Sequence, residues 1–269
     1  MLGRGRRTRD DPPGAAGFGL ASSCLAAICA ALSATPARAE PDALWRIVHD
    51  ACLPHVKEGE GPKPCETVYP NGGLAEGVAI LKDRVGVAQM LAIPTRRISG
   101  IEDPQMLEPD APKVFADGWK ARTLVEARLG TELPREAIAL AINSQWARSQ
   151  DQLHVHVDCV AESVMRTLAG YRSALDDRWR PMTVPLKGRV YFARRLDSRD
   201  LEEVHVLPLL ADGLEGAKGH LGDYGLAAVG ADFDGTPGFV LLADSFSLEG
   251  GGHAEDIEDH DCAIAHLKP

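Results

Sequence analysis

Polar and apolar residues alternate along residues 150–159, and this pattern anchors the interpretation of the whole chain. A period of two predicts a β-strand with one polar and one apolar face. On a strand the two histidines of the segment stand side by side, about 6–7 Å apart, whereas on a helix they would point in different directions. The polar positions are Gln150, Gln152, His154, His156 and Asp158.

The same patterns predict strand, strand, helix, strand and strand between residues 75 and 160. The strands are expected at 77–81 and 87–93, joined by a turn at 82–84, then at 137–142 and in the two-histidine segment. The helix is expected at 110–129, where apolar residues recur on one side. This order predicts an α+β fold with an antiparallel sheet and packed helices.

The flanking regions are predicted with less detail. A short helix at 42–51 is followed by a loop rich in proline and glycine that extends to Gly73. A helix is expected at 161–171, and residues 201–210 fit a helix without excluding other structures. Strands are expected at 190–193, 224–229 and 239–243, the last two joined by a hairpin at 232–235. These strands extend the same sheet or form a second one.

Residues 1–39 have the pattern of an export signal. Four arginines precede an apolar run of about 20 residues, which is near the length of a membrane-spanning helix. Ala37-Arg38-Ala39 has the small-x-small form of a signal peptidase site. We therefore expect residues 1–39 to be a cleaved signal or a single N-terminal anchor in the inner membrane. Residues 40–269 would then form one domain on the periplasmic side.

The net charge of the chain limits the classes of partner that it is expected to bind. Residues 40–269 contain 24 basic and 37 acidic residues, a net charge of −13. A surface this acidic disfavours nucleic acid and a broad electrostatic attraction to anionic membranes. Aromatic residues make up only 5% of the chain, too few for the stacking platforms that bind single strands. We expect no nucleic-acid partner, and the sequence leaves the oligomeric state open.

Four cysteines lie outside the N-terminal apolar run, an even number that permits two disulfides in an exported chain. Cys52 and Cys65 are close in sequence and would close a small loop. Cys159 with Cys262 would join the two-histidine strand to the C-terminal region. Three pairings are formally possible, and the sequence does not choose among them or exclude four free thiols.

The pair of histidines on one strand permits three interpretations. His154 and His156 could bind a metal together with Asp158 or a distant histidine, because histidines two apart on a strand form a common half-site for zinc or copper. One histidine could instead be a nucleophile while the other polarises the substrate. The pair could also be purely structural, which is the usual role of such a pattern in isolation.

A wider pattern resembles the histidine-triad superfamily of nucleotide hydrolases and transferases. Its members carry an asparagine after a strand, a glutamine in the next loop, and alternating histidines on the following strand. Asn143, Gln150, His154 and His156 match that order, and residues 91–98 are similar to an upstream strand of the same superfamily. The resemblance implies a histidine-triad-like sheet over residues 75–160.

Nearly the whole exported chain also resembles the bacterial CDP-diacylglycerol pyrophosphatases. The matching stretches are 52–54, 64–65, 78–83, 98–102, 140–144, 152–156, 191–195, 224–227, 239–243 and 258–262. This resemblance implies an enzyme of phospholipid metabolism that hydrolyses membrane CDP-diacylglycerol to CMP and phosphatidate. It implies no cofactor and no metal ion.

The resemblance also implies roles for individual residues. His156 falls at the position of the nucleophile, and His154, Asn143 and Gln150 at positions that steady the nucleophile or the phosphates. Lys82, Arg97, Gln152 and Asp158 are further expected substrate contacts. Lys82 and Arg97 are equally well explained as ordinary surface charges.

One position departs from the triad pattern. Asp158 stands where the third histidine would be, and an ionised carboxylate there would repel a diphosphate. Asp158 is therefore expected either to face a positive group or to orient His156. The C-terminal block at 250–266 is interpreted as a charged loop, with a metal site there as a weaker alternative.

Two other functions fit the sequence. One is a triad-type hydrolase of soluble nucleotide diphosphates. The other is an exported, non-enzymatic protein that binds a metal or a nucleotide.

Overall fold

One nine-stranded antiparallel sheet organises the chain. The structure is a computed structural model that describes residues 40–247 and 250–266, so the expected export signal or anchor at 1–39 lies outside the described residues. The strands follow the order β1-β2-β3-β5-β4-β8-β9-β7-β6 across the sheet. They are β1 (Thr67–Tyr69), β2 (Val78–Lys82), β3 (Met90–Pro94), β4 (Ile138–Ile142), β5 (Val155–Cys159), β6 (Arg180–Pro181), β7 (Phe192–Leu196), β8 (Tyr224–Phe233) and β9 (Thr236–Ser245).

Five α-helices accompany the sheet. They are α1 (Ala43–Arg46), α2 (Leu53–Glu58), α3 (Val114–Leu129), α4 (Glu162–Tyr171) and α5 (Val206–Gly213). A π-helical stretch, Ile47–Cys52, joins α1 to α2, and short 3-10 turns occur at several connections, including Ala254–Ile257 near the C-terminus. Among the described residues, none of the helices has the length and apolar character needed to cross a membrane.

The predicted α+β fold with an antiparallel sheet is confirmed. Strand, strand, helix, strand and strand follow one another as β2, β3, α3, β4 and β5. The C-terminal strands extend the same sheet, because β8 pairs with β4 along Ala139–Ile142 and with β9 along its whole length. Of the three pairings that the sequence left open, the structure contains Cys52–Cys65 and Cys159–Cys262.

Several local predictions were wrong. The N-terminal helical region continues to Glu58, and part of the expected loop forms strand β1. The connection between β2 and β3 spans residues 83–89 rather than 82–84. The ammonium of Lys82 donates to the carbonyls of Asp83 (2.5 Å), Val85 (3.3 Å) and Gly86 (2.9 Å), which stabilises this longer loop.

Other element boundaries also shifted. Helix α3 starts at Val114 rather than at 110, because Pro112 disfavours helical backbone at the preceding residue, Ala111. In the two-histidine segment only Val155–Cys159 is a strand, so His154 lies immediately before β5. The strand expected at 190–193 is Phe192–Leu196, and the uncertain helix near 201–210 is Val206–Gly213.

The two faces of the sheet are covered differently. One face packs on α3 and α5 in a single large core that includes Phe115, Trp119 and Phe239. The opposite face carries two smaller apolar clusters. One, with α4 and residues 254–257, covers β4, β8 and β9, while the other, with α1 and α2, covers β2 and β3. Strand β5 lies between β3 and β4, so its outward side chains fall in the gap between these two clusters.

Three consecutive glycines direct the C-terminal segment across this gap. Gly250, Gly251 and Gly252 all have positive φ angles, of 102°, 112° and 71°. A Cβ atom on Gly251 would lie 2.4 Å from the carbonyl oxygen of Ser245, so no larger residue fits that backbone. The chain therefore turns sharply after β9 and leads residues 253–262 back over β4 and β5.

We expect the substitution Gly251→Ala to lower stability by roughly 2–4 kcal/mol, because it combines an unfavourable φ angle with a backbone clash. Thermal unfolding of the oxidised protein measures this loss. Gly219→Ala is the matched control. Gly219 also has a positive φ, 80°, but has no atom within 4 Å of the added Cβ. Equal losses in the two variants would contradict the close packing assigned to Gly251.

Candidate active site

The polar side of β5 is buried rather than solvated. His154 and His156 are 9% and 7% exposed, and Asp158 is fully buried. His156 stands between Leu91 on β3 and Ala141 on β4 in the strand register. The two imidazole ring centres are 4.9 Å apart, which confirms that the pair lies side by side. Buried polar groups require partners, and each of these three side chains has one.

His154 is fixed in one tautomer by the backbone. Its Nδ1 lies 2.8 Å from the carbonyl oxygen of Gln152, so Nδ1 carries the proton and Nε2 carries a lone pair. Burial and the adjacent His156 lower the pKa of His154 to about 4. His154 is therefore neutral at physiological pH, and its Nε2 accepts rather than donates hydrogen bonds.

His156 lies between an amide and a carboxylate. Its Nδ1 is 3.1 Å from the side-chain amide of Gln89. Its Nε2 is 3.0 Å from Glu255 Oε2, without the alignment of a hydrogen bond. The orientation of a glutamine amide follows from its hydrogen bonds, and either its oxygen or its nitrogen can face Nδ1. With the nitrogen toward Nδ1, Nε2 carries the proton and faces the Glu255 carboxylate. With the oxygen toward Nδ1, Nε2 carries the lone pair, which requires that the carboxylate move aside.

Glu255 is an ionised carboxylate in a largely buried position. Burial acts to raise its pKa, but its contact with His156 and a hydrogen bond from Asn143 outweigh burial and lower the pKa to about 2. The Asn143 side-chain oxygen also accepts from the Glu255 backbone N–H at 3.3 Å. Asn143, at the end of β4, thus fixes the turn that brings Glu255 to His156.

Asp158 pairs with a histidine from the C-terminal segment. Its Oδ2 lies 2.9 Å from His260 Nδ1, and its Oδ1 accepts from the Cys159 backbone N–H at 2.9 Å. The hydrogen bond to Asp158 raises the pKa of His260. Glu258 lies on the same segment, and burial together with the charges of Asp158 and Glu255 raises its pKa well above the usual value, which favours its protonated form.

Asp158, Glu258 and His260 form the group that comes nearest to a metal site in the described ranges. Each places one potential ligand atom within 4.8 Å of the other two. Here the hydrogen bond between His260 and Asp158, with a proton on Glu258, satisfies the charges of the group. The metal-site groups found in this part of the chain include neither His154 nor His156, so the histidine half-site lacks a nearby third ligand there.

A cavity of about 520 Å³ opens beside His154 and His156, a size suited to small ligands. One part of its wall is polar and includes Gln89, Asn143, Gln150, Glu255 and His260. Another part is apolar, with Leu44 and Ile47 from the N-terminal helical region and Leu81 and Leu91 from the sheet. The cavity can therefore hold a ligand that has both a charged and an apolar part.

Comparison with known proteins adds a family to this geometry. Residues 39–266 match the CDP-diacylglycerol pyrophosphatase family. The CDP-diacylglycerol pyrophosphatase of Yersinia pestis is 40% identical over 225 residues, which cover 83% of this chain and 84% of that relative. The chain belongs to the CDP-diacylglycerol pyrophosphatase family. The family resemblance found in the sequence is confirmed, while the relation to the histidine-triad superfamily stays a prediction.

The structure brings only some of the predicted site residues of this CDP-diacylglycerol pyrophosphatase family member to the cavity. His154, His156, Asn143, Gln150 and Lys82 line it. The Gln150 side-chain oxygen also accepts from the Leu44 backbone N–H at 3.2 Å, which anchors the start of α1 beside the cavity. Lys82 reaches the wall while its ammonium is occupied by three loop carbonyls.

The other predicted contacts lie elsewhere. Gln152 is fully buried and donates to the carbonyls of Pro94 and Arg96, both at 3.0 Å, so it fixes the segment after β3. The guanidinium of Arg97 pairs with Asp42 and lies 5.5 Å from the ring centre of Trp45. Of the two roles expected for Asp158, contact with a positive group or orientation of His156, the structure favours the first, because its carboxylate contacts His260.

Sequence reasoning missed four residues of the site. Gln89 was assigned to a strand, and Glu255, Glu258 and His260 to a charged loop. The signal that could have found the last three is the pairing of Cys159 with Cys262. Since Cys159 follows Asp158 directly, that disulfide places the residues just before Cys262 beside the polar side of β5.

The raised pKa of Glu258 gives a pH-dependent stability. Above the usual pKa of 4.5 the unfolded chain releases this proton while the folded protein keeps it, so stability falls as pH rises. One retained proton corresponds to about 1.4 kcal/mol per pH unit. We expect Glu258→Gln to remove this dependence of stability on pH. The free energy of unfolding of the variant should therefore exceed that of the wild type by an amount that grows from pH 5 to pH 7.

Urea unfolding at several pH values measures the effect. Glu60→Gln, at an exposed position, is the control and should follow the wild type. Parallel curves for the wild type and Glu258→Gln would show that Glu258 is ionised in the folded protein.

Proposed function

We propose that this chain hydrolyses CDP-diacylglycerol to CMP and phosphatidate, with His156 as a nucleophile that carries the cytidylyl group between two steps. Membership of the CDP-diacylglycerol pyrophosphatase family supports the substrate and the reaction. The observation that supports the covalent route is the position of His156, a buried imidazole in the cavity wall with separate partners for its two nitrogens.

The partners of His156 suit a nucleophile. A neutral imidazole attacks through the nitrogen that carries a lone pair while its other nitrogen keeps a proton. With the Gln89 amide turned so that its oxygen takes the place of its nitrogen, that oxygen can accept a hydrogen bond from the Nδ1–H, and a protonated Glu258, 3.4 Å from the same position, can donate to it. Nε2, a buried atom beside the Glu255 carboxylate, then carries the lone pair. To bond to Nε2, the phosphorus must displace the Glu255 carboxylate, which lies 3.0 Å from that nitrogen.

The first step replaces the bond between the cytidine-linked phosphorus and the bridging oxygen with a bond to Nε2, and phosphatidate leaves. Water attacks the same phosphorus in the second step and releases CMP. Splitting one displacement into two is the advantage of covalent catalysis. The neutral amide of Asn143 at the cavity wall can donate to non-bridging phosphate oxygens. No step of this route requires a metal ion.

The apolar part of the cavity favours a lipid substrate over a soluble nucleotide diphosphate. CDP-diacylglycerol joins a charged diphosphate to apolar chains, the same division that the cavity wall has. The signal or anchor proposed at residues 1–39 would bring the domain to the periplasmic surface of the inner membrane. That placement raises the effective concentration of substrate at the site.

A single-turnover experiment tests the proposal. The substrate is CDP-diacylglycerol labelled in the cytidine-linked phosphate, and the reaction contains a chelator and no added metal. Wild type should acquire an acid-labile label and release CMP. His156→Ala should lose both, because it removes the proposed nucleophile. His205→Ala, at an exposed position that does not line the cavity, should behave as wild type.

Three results would contradict parts of the proposal. Release of CMP that survives in His156→Ala would exclude His156 as the nucleophile. Loss of wild-type activity on adding the chelator would instead support metal-assisted hydrolysis. Equal rates with CDP-choline and CDP-diacylglycerol would reassign the substrate to soluble nucleotide diphosphates.

A further inference from the structure

Asp158, at the third triad position, does not line the cavity, but its hydrogen-bond partner His260 does. Asp158 is fully buried, and its carboxylate is directed to His260 Nδ1 at 2.9 Å. His260 lines the cavity together with His154 and His156, and 37% of its side chain is exposed. An imidazole therefore borders the cavity beside the third position, although it comes from a different part of the chain.

The backbone holds His260 in place from two directions. The disulfide between Cys159 and Cys262 joins the residue after Asp158 to a residue two positions after His260. The Asp259 backbone N–H donates to the Cys159 carbonyl at 2.9 Å, which continues the attachment to β5. On the other side, the Val87 backbone N–H donates to the His260 carbonyl at 2.9 Å. These contacts fix the backbone of His260 beside β5 and the β2–β3 loop.

Hydrogen bonding also orients the ring. An imidazole whose Nδ1–H donates to a carboxylate presents Nε2 on its opposite side. The same arrangement of carboxylate and histidine fixes the catalytic imidazole in hydrolases of other folds. A histidine needed only to neutralise Asp158 would not have to border the cavity.

We propose that His260 is the acid that donates a proton to the phosphatidate oxygen when it departs. Asp158 is its positioning residue. This inference rests on the proposed function. It adds to the same site a catalytic histidine that lies outside the histidine-triad motif.

The proton balance closes over the two steps. As the bond from His156 Nε2 to the cytidine-linked phosphorus forms, the bond from phosphorus to the bridging oxygen breaks. The proton on His260 Nε2 passes to that oxygen. Neutral His260 then accepts a proton from the attacking water, whose oxygen bonds to phosphorus while the bond to His156 breaks. His156 recovers its lone pair, and His260 recovers its proton.

Charge around His260 favours the protonated form that this role requires. Its hydrogen bond to Asp158 raises its pKa, while burial opposes the increase, and nearby acids reinforce it. The titratable groups near His260 are Asp158 and His156 on β5, Glu255 and Glu258 on its own segment, and Lys82 and Asp83 at the β2–β3 loop. We therefore expect activity on the lipid substrate to fall at high pH, when His260 loses its proton.

Two substrates separate proton donation from a structural role. The leaving oxygen of phosphatidate is the more basic of the two and is the one that gains from protonation, whereas the dinitrophenyl ester of CMP releases a less basic anion that leaves without a proton. His260→Asn should slow CMP release from CDP-diacylglycerol by about 10²–10⁴-fold, the usual contribution of a general acid. The same variant should form the His156 adduct from the dinitrophenyl ester at close to the wild-type rate. The matched control is His220→Asn, an exposed histidine near Asp223 at 3.8 Å.

The variant Asp158→Asn tests the positioning role through pH. It should move the high-pH loss of lipid hydrolysis to lower pH, because the hydrogen bond that raises the pKa of His260 is weakened. It should leave adduct formation from the dinitrophenyl ester unchanged over the same range. If lipid hydrolysis by Asp158→Asn is lost at the same high pH as in the wild type, His260 is excluded as the titrating acid.

Equal slowing of both substrates in His260→Asn, or slowing of neither, would overturn the inference. Neither result would affect the nucleophile, which His156→Ala tests with the same two substrates. If His156→Ala hydrolyses both at the wild-type rate, the proposed function fails. If it hydrolyses neither while His260→Asn treats both alike, the proposed function stands and only the role of His260 is wrong.

Discussion

The site depends on the burial of the polar side of β5. A strand with two imidazoles and a carboxylate on one side cannot be covered by apolar residues without a large loss of hydrogen bonds. The fold meets this constraint by leaving a gap between two apolar clusters on that face of the sheet. The β2–β3 loop and the C-terminal segment fill part of this gap with polar groups, and the cavity occupies another part.

The neighbouring groups in this gap give the titratable side chains of the site different protonation states. The pKa of His154 is lowered to about 4 and that of Glu255 to about 2, so one is neutral and the other ionised at neutral pH. The pKa values of Glu258 and His260 are raised, which favours the protonated form of both. Such a separation of pKa values among adjacent groups lets one site supply a nucleophile and an acid at the same pH.

The sequence predicted the sheet, the order of its central elements and the pair of histidines well, because these follow from local periodicity. The resemblance to the histidine-triad superfamily pointed to His154, His156, Asn143 and Gln150, and all four line the cavity. Periodicity could not assign Arg97 or Gln152, whose partners, Asp42 and the carbonyls after β3, are set by tertiary packing.

The C-terminal contribution was harder to predict for a physical reason. Residues 253–262 have no regular strand or long helix, and their position depends on the three glycines and on a disulfide between residues 103 positions apart. A pattern of charged residues in such a segment is typical of a surface loop. The pairing of Asp158 with His260 therefore becomes visible only when the chain is folded.

The stereochemical course at the cytidine-linked phosphorus tests the central claim most directly. The substrate is CDP-diacylglycerol with a sulfur of defined configuration on that phosphorus, hydrolysed in isotopically labelled water. Two successive displacements through His156 predict that the configuration is retained in the CMP product. Inversion would show that water attacks the substrate directly, and it would contradict the covalent route.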